Sequence, residues 1–428
     1  MRREDIIFWG YLLALFIFAV IFWHNKVPWD PCAYRLTGMR LLGADTYYEP
    51  LRAPIPSLLY AILGFYGYFA FVLVLFGVSV YVFTRRRGFS PLLFITLFVP
   101  ALSWPYFVET GAELLSFSFL LLAAAYSEAV YAGLLFALAF LSRYVFLIFV
   151  PFFLPWKRYF GDRRLLIFHL AGFIAPILIW SAWQLFVYGH PLASYVDFLF
   201  VNSYLNPTSL KLPRFDKLFE STLPTALLAL PGLDLFTAAM LVVALIVAAA
   251  AFVQWTRFYI PALLPLSLAA HRWMNRRFGI ALAVANVVVA FLFVYPLFSW
   301  GSRTLYEAAV SAMDSNCVYV SNVWVPLTCL GGYAVPPPPG AENNIELVPE
   351  YVRTIRSGYR AVVFRGVGFP AYMEDLNLYR EYNIPVRDYG RFFIAGDGCV
   401  QPKNVWERSR DLYSARLDLM LSRWIWKR

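Results

Sequence analysis

The chain has 428 residues, 61% of them hydrophobic and 19% aromatic, with only 14% charged and a formal net charge of +10. A water-soluble domain carries roughly a quarter charged residues, so this composition excludes an ordinary soluble protein and fits one whose solvent is largely lipid. The positive balance is no argument for nucleic acid, because many of the Lys and Arg residues stand in short loops between apolar runs, where cytoplasmic loops of membrane proteins collect them.

The apolar residues fill 6–300, and 301–428 has the make-up of a soluble sequence. The first run, 6–23, is long enough to span and is followed by no small-residue cleavage site, so it reads as an anchor and not a removed signal. Residues 24–65 form a long first loop rich in Pro, Tyr and charge, and its apolar second half, 55–65, is expected to be a helix lying along the membrane surface. Further spans follow at 66–84, 89–104, 112–126, 129–142, 144–156, 165–188, 218–231, 235–255, 258–270 and 278–300. Several fall short of the roughly 20 residues that cross a bilayer comfortably. Charge parity argues for them: Arg2 and Arg3, the run 85–87, the cluster Lys157, Arg158, Arg163 and Arg164, and the cluster Arg272, Arg276 and Arg277 all belong inside. An odd number of crossings between Lys157 and the outside, and again between the outside and Arg272, satisfies that set; two helices over 112–156 would put Lys157 and Arg164 outside, so three short ones are expected and about eleven crossings in all. The N-terminus is then cytoplasmic, and 301–428 lies outside the cell membrane. Between the spans, 189–217 is a second long outer loop, and loops of such length in a compact protein are usually functional.

Residues 301–428 read as a small α/β domain. Short apolar strands are expected at 318–320, 361–364 and 392–395, with helices at 347–357 and 372–382 and a proline turn at 336–340. In the last stretch Tyr413, Leu417, Met420, Leu421 and Trp424 share a helical face. That face either packs on its own domain or, with Trp426, Lys427 and Arg428, anchors at the membrane interface. Cys32, Cys317, Cys329 and Cys399 all fall on the outer side, where disulfides form. A bridge among the last three is expected, its pairing open.

Charge at membrane depth is costly and is usually paired or functional. Asp30 follows the first span, Arg143 lies between two short spans, Arg257 opens the tenth, and Glu109 and Glu113 flank the start of the fourth. On this topology all five face the same side. For each arginine the plain alternative is an interface anchor that snorkels to water, and for Glu113 a helix-capping role. The four histidines are scattered over both sides, which argues against a histidine metal site. Glycine-rich nucleotide loops and a serine-hydrolase elbow are absent.

Four segments give the chain a likeness to known proteins. The first loop carries Asp30 and Tyr34, then Gly43, Tyr47 and Tyr48, then Arg52, Pro54 and Pro56. Glu113 opens the fourth span. A glycine-led short helix runs from Gly133 to Arg143. Tyr188, Gly189, His190 and Pro191 precede Arg257, Tyr259, Pro261 and Pro265. In this order and spacing the segments resemble the GT-C superfamily of polytopic glycosyltransferases, which includes protein mannosyltransferases, the aminoarabinose transferase of lipid A and many archaeal relatives, the last being nearest in style. The resemblance implies transfer of a sugar from a polyprenyl (dolichyl) phosphate to a hydroxyl acceptor, a lipid, glycan or protein, at the outer membrane face. It implies Asp30 as the base, Arg143 and Arg257 as ligands of the donor phosphate, and Glu109 and Glu113 as acid/base or metal-linked groups. Tyr34, Tyr47, Arg52, His190 and Tyr259 would touch substrate. Family members often carry paired acids in the first loop, whereas here Pro31 follows Asp30, which leaves a divalent metal open. Single displacement would invert the anomeric centre. The competing readings are a transporter of lipid-linked saccharides, which would place charge at mid-membrane, and a non-catalytic assembly subunit.

Overall fold

A computed structural model of the protein describes residues 3–199, 212–250, 256–298, 302–337, 348–366 and 373–402. It is mostly helical. In chain order the helices are α1 (Arg3–Asn25), α2 (Trp29–Leu41), α3 (Pro54–Arg87), α4 (Pro91–Phe98), α5 (Trp104–Thr110), α6 (Ala112–Ala125), α7 (Ala132–Ser142), α8 (Val150–Phe153), α9 (Trp156–Gly161), α10 (Arg163–Tyr188) and α11 (Ala193–Leu199). They continue with α12 (Phe215–Thr222), α13 (Thr225–Ala229), α14 (Leu235–Ala250), α15 (Leu263–Trp273), α16 (Phe278–Val289), α17 (Tyr295–Phe298), α18 (Arg303–Ala312), α19 (Trp324–Cys329), α20 (Val348–Arg356) and α21 (Leu376–Glu381).

Among the described residues, four helices are long and apolar enough to cross a membrane: Arg3–Asn25, Pro54–Arg87, Arg163–Tyr188 and Phe278–Leu297. The pair Pro91–Phe98 and Ala101–Thr110, bent by 52°, makes up to a fifth. Several long apolar helices in one chain are the make-up of a multi-pass membrane protein. Other expected spans are shorter or broken. The 144–156 run is a 3₁₀ turn, Tyr144–Phe149, followed by α8, and the 258–270 run opens as 3₁₀ over Thr256–Ala262 before α15. Prolines account for much of this: Pro151 and Pro261 remove a backbone donor and disfavour continuous α-helix upstream.

One break shows how an irregular backbone survives in an apolar core. Helix α4 stops before Pro100, leaving carbonyls and amides without helical partners. Asn286 of α16 closes the gap, its amide nitrogen donating to Thr96 O at 2.9 Å and its oxygen accepting from Ala101 N at 3.1 Å. Trp104 Nε1 donates to Val99 O at 3.0 Å, and the Tyr11 hydroxyl donates to the same carbonyl. In a lipid-like interior every such group needs an internal partner.

The helix expected at 55–65 is present: α3 is two helices joined at a break at Gly64, whose φ is +66°, the first lying before it and the second covering the expected span at 66–84. Its start packs on α2, because Gly38 lets the two backbones touch: a Cβ there would lie 1.9 Å from Ser57 O. Helix α2 is thereby pressed against the end of the helical layer.

The basic segments gather at the opposite end. Arg85 meets Asp5 at 2.9 Å, Arg86 donates to Ala125 O, Ser90 N donates to His271 Nε2, Arg158 pairs with Glu128 and Arg272 with Asp234. These contacts tie the start of α1 to the end of α3, the ends of α6 and α15 and the loop before α14.

Beyond α18, β1 (Tyr319–Val320), β2 (Ala334–Val335), β3 (Arg360–Phe364), β4 (Val386–Asp388) and β5 (Phe392–Ala395) form one sheet in the order β2-β1-β3-β5-β4. The first three are parallel, and β5 runs antiparallel to β3 and β4. The strands β1, β3 and β5 fall on the apolar runs read from the sequence. The two edge strands, β2 and β4, were not expected. The helical face at 413–424 and residues 426–428 lie outside the described residues, as does most of the proline stretch.

This sheet does not stand apart from the helices. Its buried residues form one core with Val27, Cys32, Ala33, Leu36 and Tyr47 of the first loop. Cys32 is bonded to Cys329 of α19, and Cys317 to Cys399. The sequence reading placed bridging among the last three cysteines; the fold brings Cys32 across 297 positions to complete a second bridge.

Candidate functional site

The end of the helical layer beneath the sheet holds a buried charge network built from six chain segments. Asp30, in the first turn of α2, is buried, and each of its oxygens meets a different guanidinium: Oδ1 lies 2.8 Å from Arg52 Nη1, and Oδ2 pairs with Arg257 Nη1. Burial alone would raise the Asp30 pKa, but Arg257, Arg52 and Arg143 together hold the carboxyl well below the usual carboxylate range.

Arg52 precedes α3 and makes a second ion pair, through Nε, with Glu49 Oε2. Glu49 is buried in turn, its other oxygen accepting from the Tyr47 hydroxyl at 2.9 Å and its amide donating to Thr37 Oγ1 at 3.0 Å. Arg143, at the C-terminus of α7, meets Glu113 Oε1 at 3.0 Å and donates to the Tyr34 hydroxyl at 3.4 Å. Thr110 donates to Glu113 Oε2. Gly111 makes that contact possible: its φ of +62° turns the chain between α5 and α6, and a Cβ there would lie 2.8 Å from Tyr68 Cε1. The Tyr34 ring stacks on Tyr60, which stacks on Tyr68 at 3.7 Å, while the Arg52 guanidinium lies over the Tyr34 face at 5.3 Å.

The structure thus brings together Asp30, Arg143, Arg257, Glu113, Tyr34, Tyr47 and Arg52. Glu109, on the last turn of α5, is half-buried and interacts electrostatically with Arg257, Asp30, Lys26 and Glu113. Two residues do not join. His190 folds onto its own loop, its Nδ1 accepting from Leu192 N at 3.1 Å. Tyr259 is buried and accepts from Arg214 N at 2.7 Å, so it fixes the segment before α12. The arginines do not behave as snorkelling anchors. Their side chains are 10%, 19% and 16% exposed for Arg52, Arg143 and Arg257, and each faces a carboxylate.

Sequence reasoning missed Glu49 and the residues that brace the first loop from the second. Leu51 N donates to Asp197 Oδ2 at 3.1 Å, Ser194 Oγ donates to Pro50 O, and Ser194 N donates to Gln184 Oε1 at 2.7 Å. The one available signal was the acid in Tyr47, Tyr48, Glu49, Pro50, a second carboxylate in the loop already singled out. Nothing local marks Ser194 or Asp197.

A divalent metal does not fit this donor set. Both oxygens of Asp30, Glu49 and Glu113 already face a guanidinium or a hydroxyl, whereas a hard cation needs several oxygens converging on one point. Asp314, Cys317 and Cys399 form a ligand-like group elsewhere, but their two sulfurs are bonded to each other. What the network can do is different: three guanidiniums lie partly open beside three carboxylates, the arrangement that receives an anionic group and a hydroxyl proton. No protein-family model, curated protein or solved structure matches this chain.

Proposed function

We propose that this protein is a membrane glycosyltransferase of the GT-C kind, moving a sugar from a polyprenyl phosphate to a hydroxyl acceptor. In this reading the chain crosses the membrane about eleven times, with its N-terminus in the cytoplasm and the sheet of 319–395 outside. The observation that carries it is the convergence of Asp30, Arg52, Arg143 and Arg257, far apart in the chain, at the end of the helical layer opposite the basic loops. Charge gathered at one end favours chemistry at a membrane face over transport, which would place it at mid-span.

The reaction makes few demands. The acceptor hydroxyl must lose a proton as its oxygen bonds to the anomeric carbon, and a carboxylate in reach typically contributes about 10²–10⁴-fold. Asp30 fills that role. The bond from the anomeric carbon to the phosphate oxygen breaks, and the lipid phosphate leaves with an added negative charge. Arg257 and Arg143 stabilise that charge without proton donation. Displacement in one step inverts the anomeric centre. The test is incubation of the purified chain with a panel of labelled polyprenyl-phospho-sugars and hydroxyl acceptors, scoring free lipid phosphate. Acceptor-dependent release that disappears in Asp30→Asn is expected. Release unchanged in that variant removes Asp30 as the base, and no release from any donor in the panel overturns the reading.

A further inference from the structure

Asp30 does not stand beside the phosphate-binding arginines as a free base. Each of its oxygens is occupied by a guanidinium, Arg52 on one side and Arg257 on the other, in a buried site. A carboxylate held this way is a poor proton acceptor, and the arginines that hold it are poor phosphate ligands while they do so. Charge balance makes the same point. The network's four cations, Lys26, Arg52, Arg143 and Arg257, face four anions, Asp30, Glu49, Glu109 and Glu113, so an incoming phosphate finds no surplus positive charge.

Resting on the glycosyl-transfer reading, we infer that Asp30 is an internal anion that competes with the donor phosphate for Arg52 and Arg257, which makes Arg52 a second phosphate ligand. Donor binding moves the two guanidiniums from carboxylate to phosphate oxygens. Asp30 is thereby released, its basicity rises, and it becomes able to take the acceptor's proton only when a donor is in place. When it does, the acceptor O–H proton passes to an Asp30 oxygen, the new bond to the anomeric carbon forms and the bond to the phosphate oxygen breaks. The carboxyl is then neutral. The arrangement also guards against hydrolysis, because a water molecule entering without donor meets a base that is already engaged.

The test is binding, not turnover. Full-length protein in lipid nanodiscs is titrated with a polyprenyl monophosphate, the product lipid, for wild type, Asp30→Asn, Arg52→Gln and Arg257→Gln. Removing a competing internal anion lifts the reduction in apparent affinity that an occupied site imposes, so Asp30→Asn is expected to bind about tenfold tighter than wild type although it loses a charge partner. Arg52→Gln and Arg257→Gln are expected to bind weaker. Equal or weaker binding by Asp30→Asn overturns the competition. Absence of saturable binding in wild type and Asp30→Asn alike overturns the glycosyl-transfer reading instead. Should Asp30→Asn fail to fold, infrared difference spectra of wild-type protein carrying isotope-labelled aspartate serve in its place. Adding the lipid phosphate should shift an aspartate carboxylate band, and an unchanged band sinks the proposal.

Discussion

Both ends of the helical layer carry arginines, and their surroundings divide them. At the end holding the loop arginines, Arg158 meets Glu128 with side chains 54% and 60% exposed, and Arg272 meets Asp234 at 39% and 44%. At the other end, Asp30 and Glu113 are 4% and 2% exposed, and each is held by a guanidinium that is itself mostly covered. Solvent screens the first set, so those pairs contribute little. The second set has given up its hydration and depends on its partners. Breaking such a pair leaves a charge stranded, at a cost of about 3–5 kcal/mol. A count of charges does not separate the two ends; burial separates most of their pairs, with Asp5 the covered exception at the basic end.

The sharpest way to break this contrast is at Asp30. Asp30→Asn should lower transfer by about 10²–10⁴-fold, read as release of lipid phosphate, while the chain remains folded. Turnover within a few-fold of wild type would place the base elsewhere. Next in size, Arg143→Ala strands Glu113 and should cost about 3–5 kcal/mol in thermal or denaturant unfolding, with weaker binding of the donor. Arg143→Lys restores the charge and not the planar fork, so it should recover only part of the donor affinity. Full recovery would show that charge alone matters there.

A smaller effect should follow from Cys32→Ser combined with Cys329→Ser, which unties α2 from α19. About 2–4 kcal/mol of stability is expected to go, and transfer should slow, because Asp30 sits two positions before the bridge and Trp29 packs edge-on against Trp324 at 4.6 Å. Unaltered melting and unaltered transfer would mean that α2 holds its place without the sheet. Smallest of all, Arg158→Ala should change stability by less than about 0.5 kcal/mol and leave transfer untouched. A large loss there would erase the distinction between the ends.

Much of the framework was legible from the chain alone. The apolar runs at 6–23 and 165–188 and the described part of 278–300 became helices, which carry through Pro176 and a π-helical stretch at Ala290–Val294, and the apolar runs at 361–364 and 392–395 became strands flanked by polar turns. The costly charges at the ends of apolar runs, Asp30, Glu113, Arg143 and Arg257, stood out for the same reason they now meet: each needs a partner out of water. Less visible were the short elements. The edge strands β2 and β4 have only two and three residues and no periodicity to read. The helix expected at 55–65 was legible as a unit ending at the Gly64 break, but its close seat on α2 at Gly38 is a fact about two helices and not about either sequence.

Composition and charge placement by themselves determined that this is a helical multi-pass membrane chain with polar residues crowded at span ends, since lipid admits few other arrangements. They did not determine who pairs with whom. That Asp30 is shared between Arg52 and Arg257, that Glu49 belongs to the network, and that Cys32 reaches Cys329 were decided only when the helices packed. Ion pairs and bridges act over a few ångströms, and no spacing along the chain encodes which distant segments will come that close.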